Sequence, residues 1–402
     1  MTSLLRLNLV LLVVASLFDP SDLLVRAKVP LFILLWIITL IDLAISNRCQ
    51  YPVPTKLYFY TLLFVLFLPA IGMFVYILRG GGMEGYEGFR YLKSYFFLSL
   101  CIPLAIKRID LLRPLSLILS LLSVAIILIC VITINDDSLR GQLAIFGDAF
   151  TIFSLTDRSY GNLSYESVYF HASPLLVLAI VYFCHRYLYS EGGTRLLSLF
   201  LLVLNVAAMA LSGTRNNMIV AICAPLMVIA WYRTGRTRFL IGCFIVLILI
   251  IGITSGVAQA MLSSDEYSNS IKLGHFGDYV TLFSDWRTLL FGQGLGASFF
   301  STVWGTRTTI TELSYLEIIR IYGLIFSPLL FALIFYPLRE LRNKETRDHH
   351  YLFIGYACYL YLCTANPLLL SSTGMLALSV VLYRTFCKYN LVPRRANAAT
   401  IG

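Results

Sequence analysis

The sequence predicts an all-α polytopic membrane protein, a single integral membrane domain over residues 1–402 with about twelve transmembrane helices. Three observations carry this. The chain is 58% hydrophobic and only 13% charged. Its mean hydropathy of +0.80 lies far above that of soluble domains. Apolar runs close to the roughly 20 residues that a helix needs to cross a bilayer recur along its whole length.

The runs place spans, in order, at 3–18, 29–45, 57–78, 91–106, 115–134, 168–189, 195–211, 216–232, 239–259, 313–338, 351–370 and 373–387. The first contains Arg6 and lacks a small-residue cleavage site, so it reads as a retained helix rather than a signal peptide. Two connections are long, 135–167 and 260–312. Neither has enough alternation for a sheet domain. Their apolar patches "QLAIFGDAFTIF" and "DYVTLFSDWRTLLFG" read as amphipathic helices lying on the membrane or the bundle. Connections this long are usually functional, and these are too aromatic to be disordered.

The net charge of +10 invites a nucleic-acid reading, and its distribution excludes it. With a cytoplasmic N-terminus, 18 of the 31 Lys and Arg fall on the even-numbered connections, the span ends beside them and the C-terminal segment, and most of the 21 Asp and Glu on the other face. That is the positive-inside pattern, with both termini cytoplasmic. The nine Cys form no CxxC pair, so neither a zinc site nor a disulfide framework is expected, and no cofactor motif is present.

The residues suited to chemistry lie on the outer face. Arg90 precedes the fourth span. Arg158, "YGNLSYESVYFHASP" and His171 belong to the first long connection, where Asn162 heads a glycosylation-type triplet. Arg215 sits in the tight link "LSGTRNNM", and Arg287, "FGQGLG" and Arg307 in the second long connection. Arg215 reads either as an arginine reaching for lipid headgroups or as an anion ligand, its guanidinium fork matched to phosphate oxygens and seated before a helix N-terminus. "FGQGLG" lacks the spacing and the Lys-Ser/Thr of a phosphate loop and reads as a bend. His171 reads as a packing residue or a polar contact, and His275 as a solvated bystander.

The segment "TELSYLEIIRIYGLI", 311–325, opens the tenth span with three charges. Glu317 and Arg320 are three apart and can neutralise each other on a helix, with Arg320 also available to a phosphate. Glu312 has no such neighbour. It reads as a first-turn carboxylate favoured by the helix dipole, or as a general base at the membrane surface.

"LSGTRNNMIVA" (211–221), "LFGQGLGASFF" (290–300) and "TELSYLEIIRIYGLIFSPL" (311–329) together resemble the O-antigen polymerase and ligase superfamily of bacterial inner membranes. The resemblance covers the order of spans over most of the chain and motifs over some forty residues. It implies a GT-C-like fold and glycan transfer from undecaprenyl pyrophosphate at the periplasmic face. It also implies a separate chain-length regulator as partner. Glu312 stands where ligases place histidine, and Leu313 where they place asparagine, which favours polymerase over ligase. The expected site is then Glu312 as base, with Arg215, Arg287, Arg90, Arg320, Arg307, His171 and Tyr315 around the pyrophosphate and glycan. A ligase onto lipid A core and a lipid-linked oligosaccharide transporter are the alternatives. Charges clustered at outer helix ends rather than mid-membrane speak against transport.

Overall fold

A computed structural model describes residues 2–46, 53–82, 87–160, 163–233, 267–343 and 347–387, with a few positions between 235 and 243. The expected span at 239–259 and Asn162 lie outside the described residues, and so does the side chain of Arg90. The chain is mostly helical. Six described helices are long and apolar enough to cross a membrane: α2 (Lys28–Ser46), α3 (Thr55–Leu78), α6 (Leu112–Asn135), α9 (Gly192–Leu211), α10 (Arg215–Tyr232) and α13 (Ser314–Arg342). Two shorter apolar helices are α1 (Thr2–Phe18) and α8 (Leu176–Tyr189).

Three further expected spans are also shorter than a full crossing. The fourth divides into α4 (Gly88–Phe97) and α5 (Cys101–Lys107) around a tight turn. The last two become α14 (Arg347–Leu362) and α15 (Ser372–Phe386). At 1.5 Å per residue, α15 is about 22 Å long against a hydrocarbon thickness of about 30 Å. It is buried along nearly its whole length, so it packs as a core helix.

Helix-breaking residues are absorbed locally. Ahead of Pro69, α3 widens into a π turn at Leu63–Phe67. Pro337 in α13 has no N–H to give Leu333 O, and the Tyr60 hydroxyl donates there instead. The Tyr356 hydroxyl serves the next carbonyl, Ile334 O, at 2.9 Å. Apolar surroundings offer those carbonyls no water, so the two tyrosines fill the gap.

The first long connection departs from expectation. Helix α7 (Asp137–Ala149) forms as the amphipathic patch predicts, capped by Asp136, which accepts from Ser138 N and Leu139 N. The chain then makes an antiparallel hairpin, β1 (Phe153–Tyr160) and β2 (Leu163–Phe170), in register from Phe153↔Phe170 to Tyr160↔Leu163. The expected span 168–189 therefore starts too early, since its first three residues finish a strand. Val168 and Phe170 are buried in the core, and Phe153 packs on Phe170.

The register sets Asp157 opposite Glu166, a like-charge pair that would repel. Arg140 of α7 lies between them, donating from Nε to Glu166 at 2.6 Å and from Nη2 to both Asp157 oxygens at 2.8 Å. Arg140→Gln should leave the two carboxylates facing each other. Faster amide hydrogen exchange across 153–170, with the rest of the chain unchanged, is the expected reading.

The second connection holds α11 (Tyr267–Phe283), α12 (Trp286–Phe291) and a small hairpin of β3 (Phe299–Ser301) and β4 (Thr306–Thr308). The amphipathic patch, 278–292, covers α12 and the last six residues of α11, which starts well before it. Asp285 caps α12 through Arg287 N and Thr288 N, and the Thr288 hydroxyl leads in holding its carboxyl below the ordinary range.

Helix α13 is broken at Gly323, which has φ 64° and ψ 176°. The "FGQGLG" bend packs into the break. Gln293 N donates to Arg320 O at 2.6 Å, Gly294 N to Ile321 O at 3.0 Å, and Leu295 N to Gly72 O at 2.9 Å. A Cβ on Gly292 (φ +80°) would lie 2.3 Å from Ile321 O, so only glycine allows this approach. Gly292→Ala should cost more than about 1 kcal/mol. Gly82→Ala, whose Cβ would meet open space, should be near neutral, as thermal unfolding of the detergent-solubilised protein can show.

Candidate functional site

The link before α10 is built by its own side chains. The Ser212 hydroxyl donates back to Met209 O at 2.6 Å and accepts from Asn217 Nδ2 at 2.7 Å. Thr214 caps α10, its hydroxyl accepting from Asn217 N at 3.2 Å, and Arg215 is the first helical residue. Gly213 at φ +75° lies so close to Ser167 of β2 that a Cβ there would sit 2.1 Å from that of Ser167.

Strand β2 runs from this link to the opening of α13. Tyr165, Ser167 and Tyr169 share one face of the strand. The Tyr165 hydroxyl donates to Met218 Sδ in the first turn of α10, at 3.2 Å. The Tyr169 hydroxyl donates to Asn366 Oδ1 at 3.0 Å. Asn366 O accepts from the Ser314 hydroxyl at 2.6 Å, and Asn366 Nδ2 donates to Leu362 O at 2.8 Å. Burial raises the pKa of Tyr169, and the negative charge of Glu312 adds to the rise. Ser167 and Tyr169 are about 7 Å apart along a strand. The link of Arg215 and the neighbourhood of Glu312 thus meet on a single strand. Arg158, directly opposite Tyr165, lies on the same face.

Glu312 is half-buried and precedes α13, whose N-cap is Leu313 with no side-chain cap bond. The first-turn reading is therefore corrected. The acid of that turn is Glu317, and Glu312 stands in a bend whose position is fixed by its flanks. Thr309 O accepts from Tyr91 and from Arg320 Nη2, and the Thr311 hydroxyl shares a 2.6 Å bond with Tyr279.

Arg320 and Glu317 are the local pair that the sequence predicts, fully enclosed. Arg320 is 0% exposed. All five of its N–H donors are taken: Nε by Glu317 Oε2 at 2.9 Å, Nη1 by Gln293 Oε1 and Ala297 O, and Nη2 by Thr309 O and Glu317 Oε1 at 2.6 Å. Its guanidinium also lies over the Phe299 ring at 5.0 Å. Glu317 accepts as well from Tyr279, 2.7 Å away. With no donor left for a phosphate, Arg320 acts as a clamp holding 293–297 and 309–311 onto α13.

The other expected residues separate from this centre. Tyr315 donates to Leu360 O at 2.9 Å and packs on Phe331 and Phe335, a structural role. His171 follows β2 half-buried, and desolvation lowers its pKa, opposed by Asp148, so it favours the neutral imidazole. Arg287 is exposed and lies over Trp286, and Arg307 is exposed on β4 opposite Phe300. His275 is no solvated bystander: it is 0% exposed, with Nδ1 3.4 Å from Ser301 Oγ and Trp304 edge-on to its ring. Among the described residues no cluster of three His, Cys, Asp or Glu is placed to hold a metal.

A cavity of about 960 Å³ borders the Glu312 bend. Thr311 and Ser314, which bracket Glu312, line it, and so does Glu317. Its walls are the α1–α2 link, the start of α2, α4 and the 367–372 turn. No known family model matches the chain, and no curated protein matches it either.

Proposed function

We propose that this chain is a glycosyltransferase that polymerises lipid-linked oligosaccharide repeat units. The supporting observation is that β2 packs on the Arg215 link through Ser167 and is tied through Tyr169 and Asn366 to Ser314, two residues after Glu312, so that two segments far apart in sequence that the resemblance assigned to one site reach the same strand. In this reading an acceptor hydroxyl attacks C1 of the donor sugar. The C1–oxygen bond to undecaprenyl pyrophosphate breaks as the new glycosidic bond forms, and the anomeric centre inverts. Glu312 takes the hydroxyl proton. Arg215, with Arg158 on the same strand face, balances the charge that develops on the departing pyrophosphate. Arg320 and Tyr315 pass from the expected ligands to the scaffold.

The reading carries with it about twelve spans in a GT-C-like fold, a bacterial inner membrane and cytoplasmic termini. The charged site then faces the periplasm, where a chain-length regulator would act. Ligation onto lipid A core is the nearest alternative.

One observation favours transport: a broken helix with charges beside the break is a transporter feature. Here, however, the carbonyls at the break accept from Gln293 N and Gly294 N, and the guanidinium is saturated. The break is plugged by the chain itself. The readings separate on a lipopolysaccharide gel from a strain deleted for the gene. Loss of a polymerase leaves lipid A core bearing one repeat unit. Loss of a ligase leaves bare core with lipid-linked polymer accumulating, and an unchanged ladder overturns both.

A further inference from the structure

The cavity beside the Glu312 bend contains a group that transfer chemistry at Glu312 does not use. Lys28, at the start of α2, lines it and is only 5% exposed. Its ammonium donates to Pro20 O at 2.6 Å and to Ser372 Oγ at 3.1 Å. An ammonium has three donors, and the third has no acceptor among the described residues. A buried charge with an unused donor is costly unless something else meets it.

The surroundings carry charges of both signs. Lys93 also lines the cavity and is close enough to repel Lys28. Two carboxylates are on the lining. Glu317 is neutralised by Arg320, and Asp22 attracts Lys28 while accepting from its backbone N–H. Asp19 attracts it too, with both oxygens held by Leu23 N and Val25 N. Asp22 on the lining and Asp19 beside it thus balance the two ammonium groups in charge, and what remains unmet is the third donor of Lys28.

The rest of the lining is apolar. Val29 and Phe32 come from α2, and Phe89, Leu92 and Phe96 from α4. Phe89 is 52% exposed and Phe96 44%, so the apolar wall continues to the outside of the bundle. On α2, Ile33 and Ile37 are exposed as well, which gives a chain emerging from the cavity an apolar surface to follow. A buried cation at one end and an apolar exit at the other match a molecule that is anionic at its head and greasy along its length.

We propose that this cavity binds an amphiphile with a phosphate or diphosphate head and one long apolar chain, its head on Lys28 and Lys93 and its chain along α2 and α4. The site stands on this geometry. Only the assignment of the amphiphile as the acceptor's lipid carrier, the donor's pyrophosphate lying with Arg215, rests on the proposed function. In that case the head lies behind Thr311 and Ser314, one wall away from Glu312.

The test is equilibrium binding of radiolabelled farnesyl diphosphate to the purified full-length chain in nanodiscs. Saturable binding is expected, competed weakly by farnesol alone and by inorganic pyrophosphate alone. Lys28→Met should weaken it about tenfold or more, the loss of a charge-assisted hydrogen bond. Val29→Trp, which keeps the ammonium and fills the wall, should weaken it too, so the test survives if Lys28→Met fails to fold. Competition by pyrophosphate as strong as by the whole molecule, or unchanged affinity in a folded Lys28→Met or Val29→Trp protein, overturns the proposal. Normal binding by a wild-type chain that makes no polymer would remove the transfer reading and leave this site standing, whereas normal polymer without saturable binding would do the reverse.

Discussion

The Glu312→Gln protein is expected to fold, reach the membrane and make no long polymer. Glutamine keeps the size and hydrogen-bonding reach of the side chain and removes its ability to take a proton. Loss of a positioned general base costs about 100- to 10,000-fold in rate. The fold should be indifferent because Glu312 caps no helix, and its bend is held by neighbours. Tyr91 and Arg320 fix Thr309 O, Tyr279 fixes the Thr311 hydroxyl, and Asn366 O fixes Ser314. Unchanged thermal unfolding with loss of the lipopolysaccharide ladder is the predicted outcome. A normal ladder from the variant removes Glu312 as the base.

Breaking the Glu317–Arg320 pair should do the opposite and damage the fold first. In Glu317→Ala the guanidinium stays buried while two of its five acceptor contacts disappear. Removing one partner of a buried ion pair costs about 3–5 kcal/mol. The same step also frees the Tyr279 hydroxyl, so Arg320 and Tyr279, which hold Thr309 O and the Thr311 hydroxyl, lose their shared Glu317 partner together. Little folded protein is expected on size-exclusion chromatography. Replacing both partners with apolar residues of similar volume, as in Glu317→Leu with Arg320→Met, should recover part of the stability, since no uncompensated charge remains. It should not recover polymer, because Thr309 O has lost the Arg320 donor that helps place the Glu312 bend. A double variant with full activity would show that the clamp has no part in positioning.

Much of this arrangement is legible in the chain. The apolar runs mark the six long helices to within a few residues at most ends, because crossing-length hydrophobicity is a strong signal. The three-residue spacing of Glu317 and Arg320 identifies their pairing. Reading "FGQGLG" as a bend rather than a phosphate loop agrees with its seat in the break at Gly323.

The hairpin is what the patterning hid. Each strand is eight residues long, and the aromatic run "SYESVYF" merges with the apolar helix that follows. A signal was present in Gly161 and Asn162, the two residues between the strands, a composition that suits a two-residue hairpin turn. The strand matters because its alternation carries Ser167 to the Arg215 link and Tyr169 to Asn366, which anchors Ser314 beside Glu312. No local pattern reveals such a bridge. The saturation of Arg320 was equally out of reach, since its acceptors come from three separate segments. Lys28 escaped notice for a related reason: one lysine at the start of a span reads as an interface residue until the 367–372 turn closes over it.

The central claim, that the Arg215 link and Glu312 form a glycosyl-transfer site, is tested most directly by reconstitution. The purified chain is placed in liposomes with lipid-linked repeat units as the sole substrate. The account predicts glycans longer than one repeat on the lipid, with one undecaprenyl pyrophosphate released for each new linkage. Repeat units that cross the bilayer with no new glycosidic bond, or that are transferred only when lipid A core is supplied, would contradict it.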